Sequence, residues 1–191
     1  TGSGVIEARG GEWGTGEGGM GGGGAVSIGH QNPGGTGIPA VVVRTGNTNT
    51  RYGGAGTVVV VGPASTYGDL TVDNGGVSGQ STVLPALGSG EAQSGSGGTS
   101  LVTDRAAVAA YFAGHWVEVS EGSGPGLRGT WRIAGLQTVD GKVVLTLAGN
   151  VESGTPNVQP GDRWQGVYKF DTLTVKGKAK ADIQDRLYVT G

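Results

Sequence analysis

The sequence predicts an all-β chain: a glycine-rich parallel β-helix or solenoid interrupted by a small inserted antiparallel β-barrel or sandwich. Three observations predict it. First, short apolar runs separated by turn residues recur with one cadence. They are Val58–Val61 and Leu70–Val72, then Asp171-Thr-Leu-Thr-Val-Lys-Gly and Asp185-Arg-Leu-Tyr-Val-Thr-Gly. A short strand, a turn and another short strand at similar spacing is how stacked coils read in sequence. Second, the 43 glycines among 191 residues are about three times the usual share. Glycine adds nothing to a core and loses the most backbone entropy on folding, so such a fold gains from bare backbone, in tight turns or close chain approach. Third, a central stretch leaves this texture for aromatic, alternating strands at even spacing. The expected division is coils over 1–77, an inserted β domain over 78–170 and a return to coils over 171–191.

Val5-Ile-Glu-Ala-Arg9 predicts the first strand, with only partial alternation because Val5 and Ile6 adjoin. The run Gly10–Gly24 reads either as a flexible linker or as an ordered loop between coils anchored by Trp13 and Met20. Its Trp and the strands close on both sides favour the loop. Ala25–Ile28 is the second strand. Pro33-Gly34 and the Gly37–Pro39 step exclude helix, and Ala40–Arg44, apolar without alternation, fits a strand buried on both faces. Thr45–Tyr52 is a polar loop leading to the Val58–Val61 and Leu70–Val72 strands, which Asp73, Asn74 and paired glycines close. The expected contributors to the stacked core are Val5, Ile6, Val26, Ile28, Val41, Val43, Val58, Val60, Leu70, Val72, Leu173, Val175, Leu187 and Val189.

Within the insert, Ser78–Ser100 is Ser/Gly-rich around one apolar break, Val83–Leu87, and Ala106–Ala113 is the one stretch that reads as helix. His115–Ser120 alternates strictly; either Trp116 and Glu118 face inward, or His115, Val117 and Val119 do. Further strands are read at Arg128–Ala134, Lys142–Ala148 and Arg163–Phe170, with Asp140-Gly141 a hairpin signal.

The formal net charge of −2 gives no long-range attraction to nucleic acid. No apolar run is long enough to span a membrane as a helix, and no charged-then-apolar leader opens the chain. The absence of cysteine excludes disulfides and thiolate chemistry. All five lysines follow residue 141, a pattern of solvated strand faces or guarded edges. Of the two histidines, His30 sits in a Gly/Pro turn and His115 opens a strand; with no Gly-x-Ser-x-Gly between strand and helix, a hydrolase has little support. Gly14–Gly19 matches Gly-x-Gly-x-x-Gly, but glycines and a strand follow it where a nucleotide needs a helix N-terminus.

Asp69 and Asp73 would be the carboxylate pair of a polysaccharide-cleaving site, yet they read better as a strand start and a turn. Asp69, Asp171 and Asp185 all stand just before a strand, as a structural device would. Asp69, Asp73 and Asn74, with carbonyls of glycine-rich turns, are the candidate calcium ligands, and no other cofactor is expected. Trp13, Trp116, Trp131 and Trp164 would suit a sugar-stacking platform, but three fall in strands where Trp normally packs the core. A threonine ladder for ice is absent, since Asn47-Thr-Asn-Thr50 occurs once.

The segments Gly2–Gly11, Gly22–Ile28, Gly53–Val58 and Tyr67–Gly76 resemble the glycine-rich repeats of very large bacterial surface or secreted, adhesin-like proteins. Leu127–Phe170, above all Pro160-Gly-Asp-Arg-Trp-Gln-Gly-Val-Tyr-Lys-Phe-Asp171, is similar to an insert that recurs beside such repeats. The resemblance implies a parallel β-helix, an extracellular or cell-surface location, a structural or adhesive role and no catalytic residues. The ends add an expectation of their own. The chain starts at Thr1 in mid-pattern, as if taken from a longer polypeptide, and joining Leu187–Gly191 to Thr1–Arg9 gives an unbroken strand–turn–strand reading. Val5, Ile6, Leu187 and Val189 are therefore the expected assembly edges between copies placed head to tail. The function expected is that of a structural repeat unit stacking into a fibre, sheath or surface layer, not an enzyme. The alternative is an adhesin segment whose insert binds a glycan or protein partner.

Overall fold

The computed structural model describes residues 4–11, 19–33, 38–46 and 52–191. The chain is all-β, 47% strand and 2% helical. The strands are β1 (Val5–Glu7), β2 (Ala25–Gly29), β3 (Ala40–Val42), β4 (Gly56–Val61), β5 (Asp69–Asp73), β6 (Thr82–Leu84), β7 (Ser89–Glu91) and β8 (Ser100–Val102). They continue as β9 (Trp116–Ser120), β10 (Leu127–Val139), β11 (Lys142–Ala148), β12 (Arg163–Phe170), β13 (Thr172–Lys176), β14 (Ala181–Ile183) and β15 (Arg186–Val189). The chain divides into two compact units. The first holds Thr1–Leu84, Lys169–Ile183 and Val189–Gly191; the second holds Pro85–Tyr168 and Gln184–Tyr188.

The first unit is built from parallel, in-register neighbours: β1 beside β3, β2 beside β4, β5 beside β13 and β6 beside β14. Val, Ile and Thr dominate β2, β4, β5 and β13, as a pleated surface favours. One antiparallel junction, β4 with β5, links the two halves into a four-stranded sheet of order β13-β5-β4-β2. Residues directly opposite in a ladder share a face. The registers therefore put Val26, Ile28, Val58 and Val60 on one face and Leu70, Val72, Leu173 and Val175 on the other. The apolar side of the sheet changes at the reversal.

Burial follows this division unevenly. Val43, Val58, Leu70 and Val72 are buried; Val26, Ile28, Val41, Val60, Leu173 and Leu187 are half-buried. Val5, Ile6, Val175 and Val189 are exposed, so these four do not join the stacked core the sequence predicts. They sit on strands that are outermost among the described residues. Bare backbone fills the tightest place: a Cβ on Gly23 would lie 1.6 Å from the Val43 carbonyl oxygen, and one on Gly56 2.2 Å from it. Gly56 N–H donates to that same oxygen at 2.6 Å. Met20 is buried, but Trp13, with the rest of residues 12–18 of its glycine run, and Thr48 and Thr50 lie outside the described residues.

The second unit is a seven-stranded sheet, a curled half-barrel of order β15-β12-β9-β10-β11-β8, with β7 also on β12; the ladders from β12 through β9, β10 and β11 to β8, and that of β7 with β12, are antiparallel. Among the described residues β15 and β8 do not pair, so the barrel stays open. The β10–β11 hairpin turns through Asp140 (φ 49°) and Gly141 (φ 74°), as the Asp-Gly signal predicts. Val117 and Val119 are fully buried while Trp116 and Glu118 are half-buried, which decides the inward face of β9. They pack with Leu101, Trp131, Ile133, Leu145, Leu147 and Trp164 in one core.

Two expectations are corrected here. Ala106–Ala113 forms only a 3-10 turn, Ala110–Phe112, without a side-chain cap. So short a segment cannot repay helix nucleation, and burial of Phe112 is what holds the turn. The Asp185 segment does not rejoin the first unit: Gln184–Tyr188 groups with the second, and β15 forms an edge of its sheet.

Candidate functional site

The candidate assembly edges are the outermost strands of the first unit. Among the described residues β1 and β2 pair only with β3 and β4, and β13 and β14 only with β5 and β6. Among the described residues each outer strand thus has one row of backbone N–H and C=O groups without a strand partner, the usual template for another chain. β2, Ala25-Val-Ser-Ile-Gly29, carries no charge, and β13 carries only Lys176 at its end. Neither contains proline; β2 carries none of the ordinary guards against pairing, and β13 has only the terminal lysine. Val5 and Ile6 lie on β1 at one such edge, whereas Leu187 and Val189 lie on β15, at the edge of the seven-stranded sheet.

The candidate calcium ligands are not brought together. Asp69 and Asp73 stand at opposite ends of β5, roughly 13 Å apart at the rise of a strand. Asp69 Oδ1 accepts the Thr172 hydroxyl at 2.6 Å, and Asp73 Oδ1 accepts Gly75 N–H at 2.8 Å. Asn74 is fully buried; its Oδ1 accepts Thr45 N–H at 3.0 Å and its Nδ2 donates to Val77 O at 2.8 Å. Thr45, also fully buried, donates its hydroxyl to Gly21 O at 2.9 Å and accepts Gly53 N–H at 3.0 Å. Asn74 and Thr45 thus form a polar clip across successive backbone layers, satisfying buried groups that glycine leaves bare. Thr45 lies in a polar loop by sequence, and no signal marks it out from its neighbours. The described residues hold no group of three or more His, Cys, Asp or Glu able to share a metal.

The aspartates before strands differ in use. Register sets Asp69 beside Thr172, so Asp69 and Asp171 are not equivalent. Asp171 closes its carboxylate on three N–H groups of the β4–β5 turn, with Oδ2 2.8 Å from Thr66 N, 3.1 Å from Tyr67 N and 2.9 Å from Gly68 N. Lys169 Nζ donates to Tyr67 Oη at 2.6 Å and sits 4.1 Å from that ring's centroid, so this lysine is engaged and not a free guard.

Asp185 is the buried counterpart in the second unit. Its Oδ2 accepts Leu87 N–H at 2.7 Å and lies 3.0 Å from His115 Nε2, while Oδ1 accepts Gly88 N–H at 3.1 Å. Burial pushes this carboxyl up, but the hydrogen bonds from His115, Leu87 and Gly88 outweigh it and leave its pKa below the ordinary value. His115 meets the rings of Tyr168 at 4.4 Å and Phe112 at 5.3 Å between centroids. Tyr168 is pushed up to about 12 by its own burial, then by the charges of Asp185 and Tyr111, and its hydroxyl donates to Pro85 O at 2.8 Å. An Asp–His pair packed against rings anchors the start of β15 to the turn before β7. Nothing in the spacing of 70 positions between the two residues announces the contact.

A polar cleft of about 320 Å³ lies on the second unit, lined by Ser120, Glu118, Arg163, Gln165, Arg186 and Trp164 among others. Arg186 pairs there with Glu118, whose other oxygen accepts the Tyr188 hydroxyl at 3.1 Å. Trp131 and Trp164 are 1% and 2% exposed, so neither offers a face to a sugar ring. No described helix is long and apolar enough to cross a membrane. Comparison with family models, curated proteins and solved structures returns no match.

Proposed function

We propose that this chain is a structural repeat unit of a long extracellular β-solenoid protein at a bacterial surface. Copies stack head to tail into a fibre, sheath or surface layer. The first unit supplies the coils, the second is carried mainly as an insert between β6 and β13 and is completed by Gln184–Tyr188, and the role is mechanical, not catalytic. The observation that supports this reading is the set of parallel, in-register strands whose outermost members, among the described residues, have strand partners on one side only. An edge of that kind gains a full row of backbone hydrogen bonds from a second copy, and a rotation-free contact between unlike surfaces repeats without closing. Electron microscopy and sedimentation of the purified chain over rising concentration test it. Filaments are expected; monodisperse globules at high concentration overturn it.

The adhesin reading has one observation in its favour, the polar cleft with Arg163 and Gln165 on the second unit. Binding on a glycan array that is lost in Arg163→Ala would favour it, with hydrogen bonding and charge in place of aromatic stacking.

A further inference from the structure

The stacking just proposed leaves open which strands meet and how; the molecule contains its own answer. β2 and β13 are the two outermost strands of the four-stranded sheet. β2 runs parallel to β4, β4 antiparallel to β5, and β5 parallel to β13, so β2 and β13 run antiparallel to each other. A copy moved along the sheet without rotation therefore presents β13 antiparallel to the first copy's β2. That is the geometry of the internal β4–β5 junction. Both strands are five residues long, lack proline and carry no charge but Lys176 at one end.

Resting on the stacking reading, we infer that the partner of β2 is β13 of a second copy, in the register that the internal junction sets. The ladders carry that register across position by position. Ala25 and Val26 sit beside Thr57 and Val58, and Val175 and Thr174 sit beside Val72 and Thr71. Thr57 faces Val72 and Val58 faces Thr71 within the molecule. Between copies, Ala25 faces Val175, Val26 faces Thr174, Ser27 faces Leu173 and Ile28 faces Thr172. The apolar side switches across the new junction as it does across β4–β5, so Val175, exposed in the single chain, gains cover. Each copy adds four strands at about 4.8 Å, a rise of roughly 19 Å along the assembly. A two-fold pairing of β2 with β2 would repeat no contact already in the molecule and would leave β13 open.

The absence of cysteine makes the register directly readable. Facing residues in an antiparallel ladder have Cα atoms about 4.5–5.5 Å apart, within disulfide reach. Ala25→Cys with Val175→Cys in one chain, both exposed positions, is expected to give a ladder of cross-linked multimers on mild oxidation. Each single variant should stay uncross-linked. Val26→Cys with Thr174→Cys, on the opposite face, is a second pair should the first perturb folding. Cryo-electron microscopy of the wild-type assembly should give the 19 Å rise. Filaments lacking both cross-links, or Ala25→Cys alone forming dimers, overturn this junction while the stacking reading survives. No assembly at any concentration removes both.

Discussion

The two units of this chain meet the same folding cost with opposite means. Among the described residues, of the largest fully buried side chains only Leu70 and Val72 belong to the first unit; Trp131, Trp164, Leu101, Ile133, Leu145 and Leu147 all lie in the second. The second is an ordinary close-packed core, in which stability scales with apolar area removed from water. The first replaces side-chain volume with backbone contact: glycines at 23 and 56 against Val43, and the Thr45–Asn74 clip between layers. The difference teaches where each should be fragile. Deleting atoms harms one, and adding atoms harms the other.

The largest effect is expected from Trp131→Ala. The ring is 1% exposed and its Nε1 donates to Gly154 O at 3.1 Å, so truncation opens a cavity and strands a carbonyl. A loss of about 3–5 kcal/mol is expected, read by urea denaturation of the second unit's aromatic signal. In the first unit the matching experiment is addition. Gly56→Ala would set its Cβ 2.2 Å from both Gly24 O and Val43 O, backbone atoms that cannot rotate aside. Its expected cost is about 1–3 kcal/mol or more, for one methyl group. A Gly56→Ala chain as stable as wild type would break the contrast between the units.

Much of the second unit was legible because its rules are local. Strict alternation marks β9, the Asp140-Gly141 turn marks the β10–β11 hairpin, and each needs only neighbouring residues. In the first unit, the likeness of Asp69–Val72 to Asp171–Val175 marks two strands that are direct neighbours, although the ladder is offset by one from the aspartates. What stayed hidden was tertiary. Both halves of the four-stranded sheet alternate in the same way, so nothing local says that the apolar side changes at the β4–β5 reversal. The three-residue strands β7 and β14 hold too few apolar residues to signal themselves. β15 carries the coil cadence, yet Asp185 finds His115 and two N–H groups in the second unit, and that contact decides its place.

That contact also predicts a difference between the units in acid. A carboxyl with a folded pKa below its free value stabilises above about pH 3.9 and loses that contribution as pH falls through the folded value. Asp185→Asn should cost about 1–3 kcal/mol at neutral pH and flatten the fall in stability below about pH 4. Denaturation at a series of pH values checks it; an unchanged acid limb would remove Asp185 from the account.

The smallest expected effect separates two tryptophans of the same core. Trp131 Nε1 has an acceptor, whereas Trp164 Nε1 is buried without one among the described residues. Leaving a buried donor unpaired costs about 1–3 kcal/mol, so a ring without that donor recovers part of what it loses in area. Trp164→Phe keeps a ring beneath the Arg105 guanidinium, which stands 5.8 Å from the Trp164 centroid. Its net cost is expected within about 1 kcal/mol, because removal of the orphan N–H offsets the smaller side chain. Trp131→Phe loses the same area together with a satisfied hydrogen bond, and should be the more destabilised of the two by about 1 kcal/mol. Paired urea titrations resolve that difference. Equal losses would mean that side-chain volume alone governs this core, and that the contrast with the backbone-packed unit is sharper than hydrogen bonding makes it.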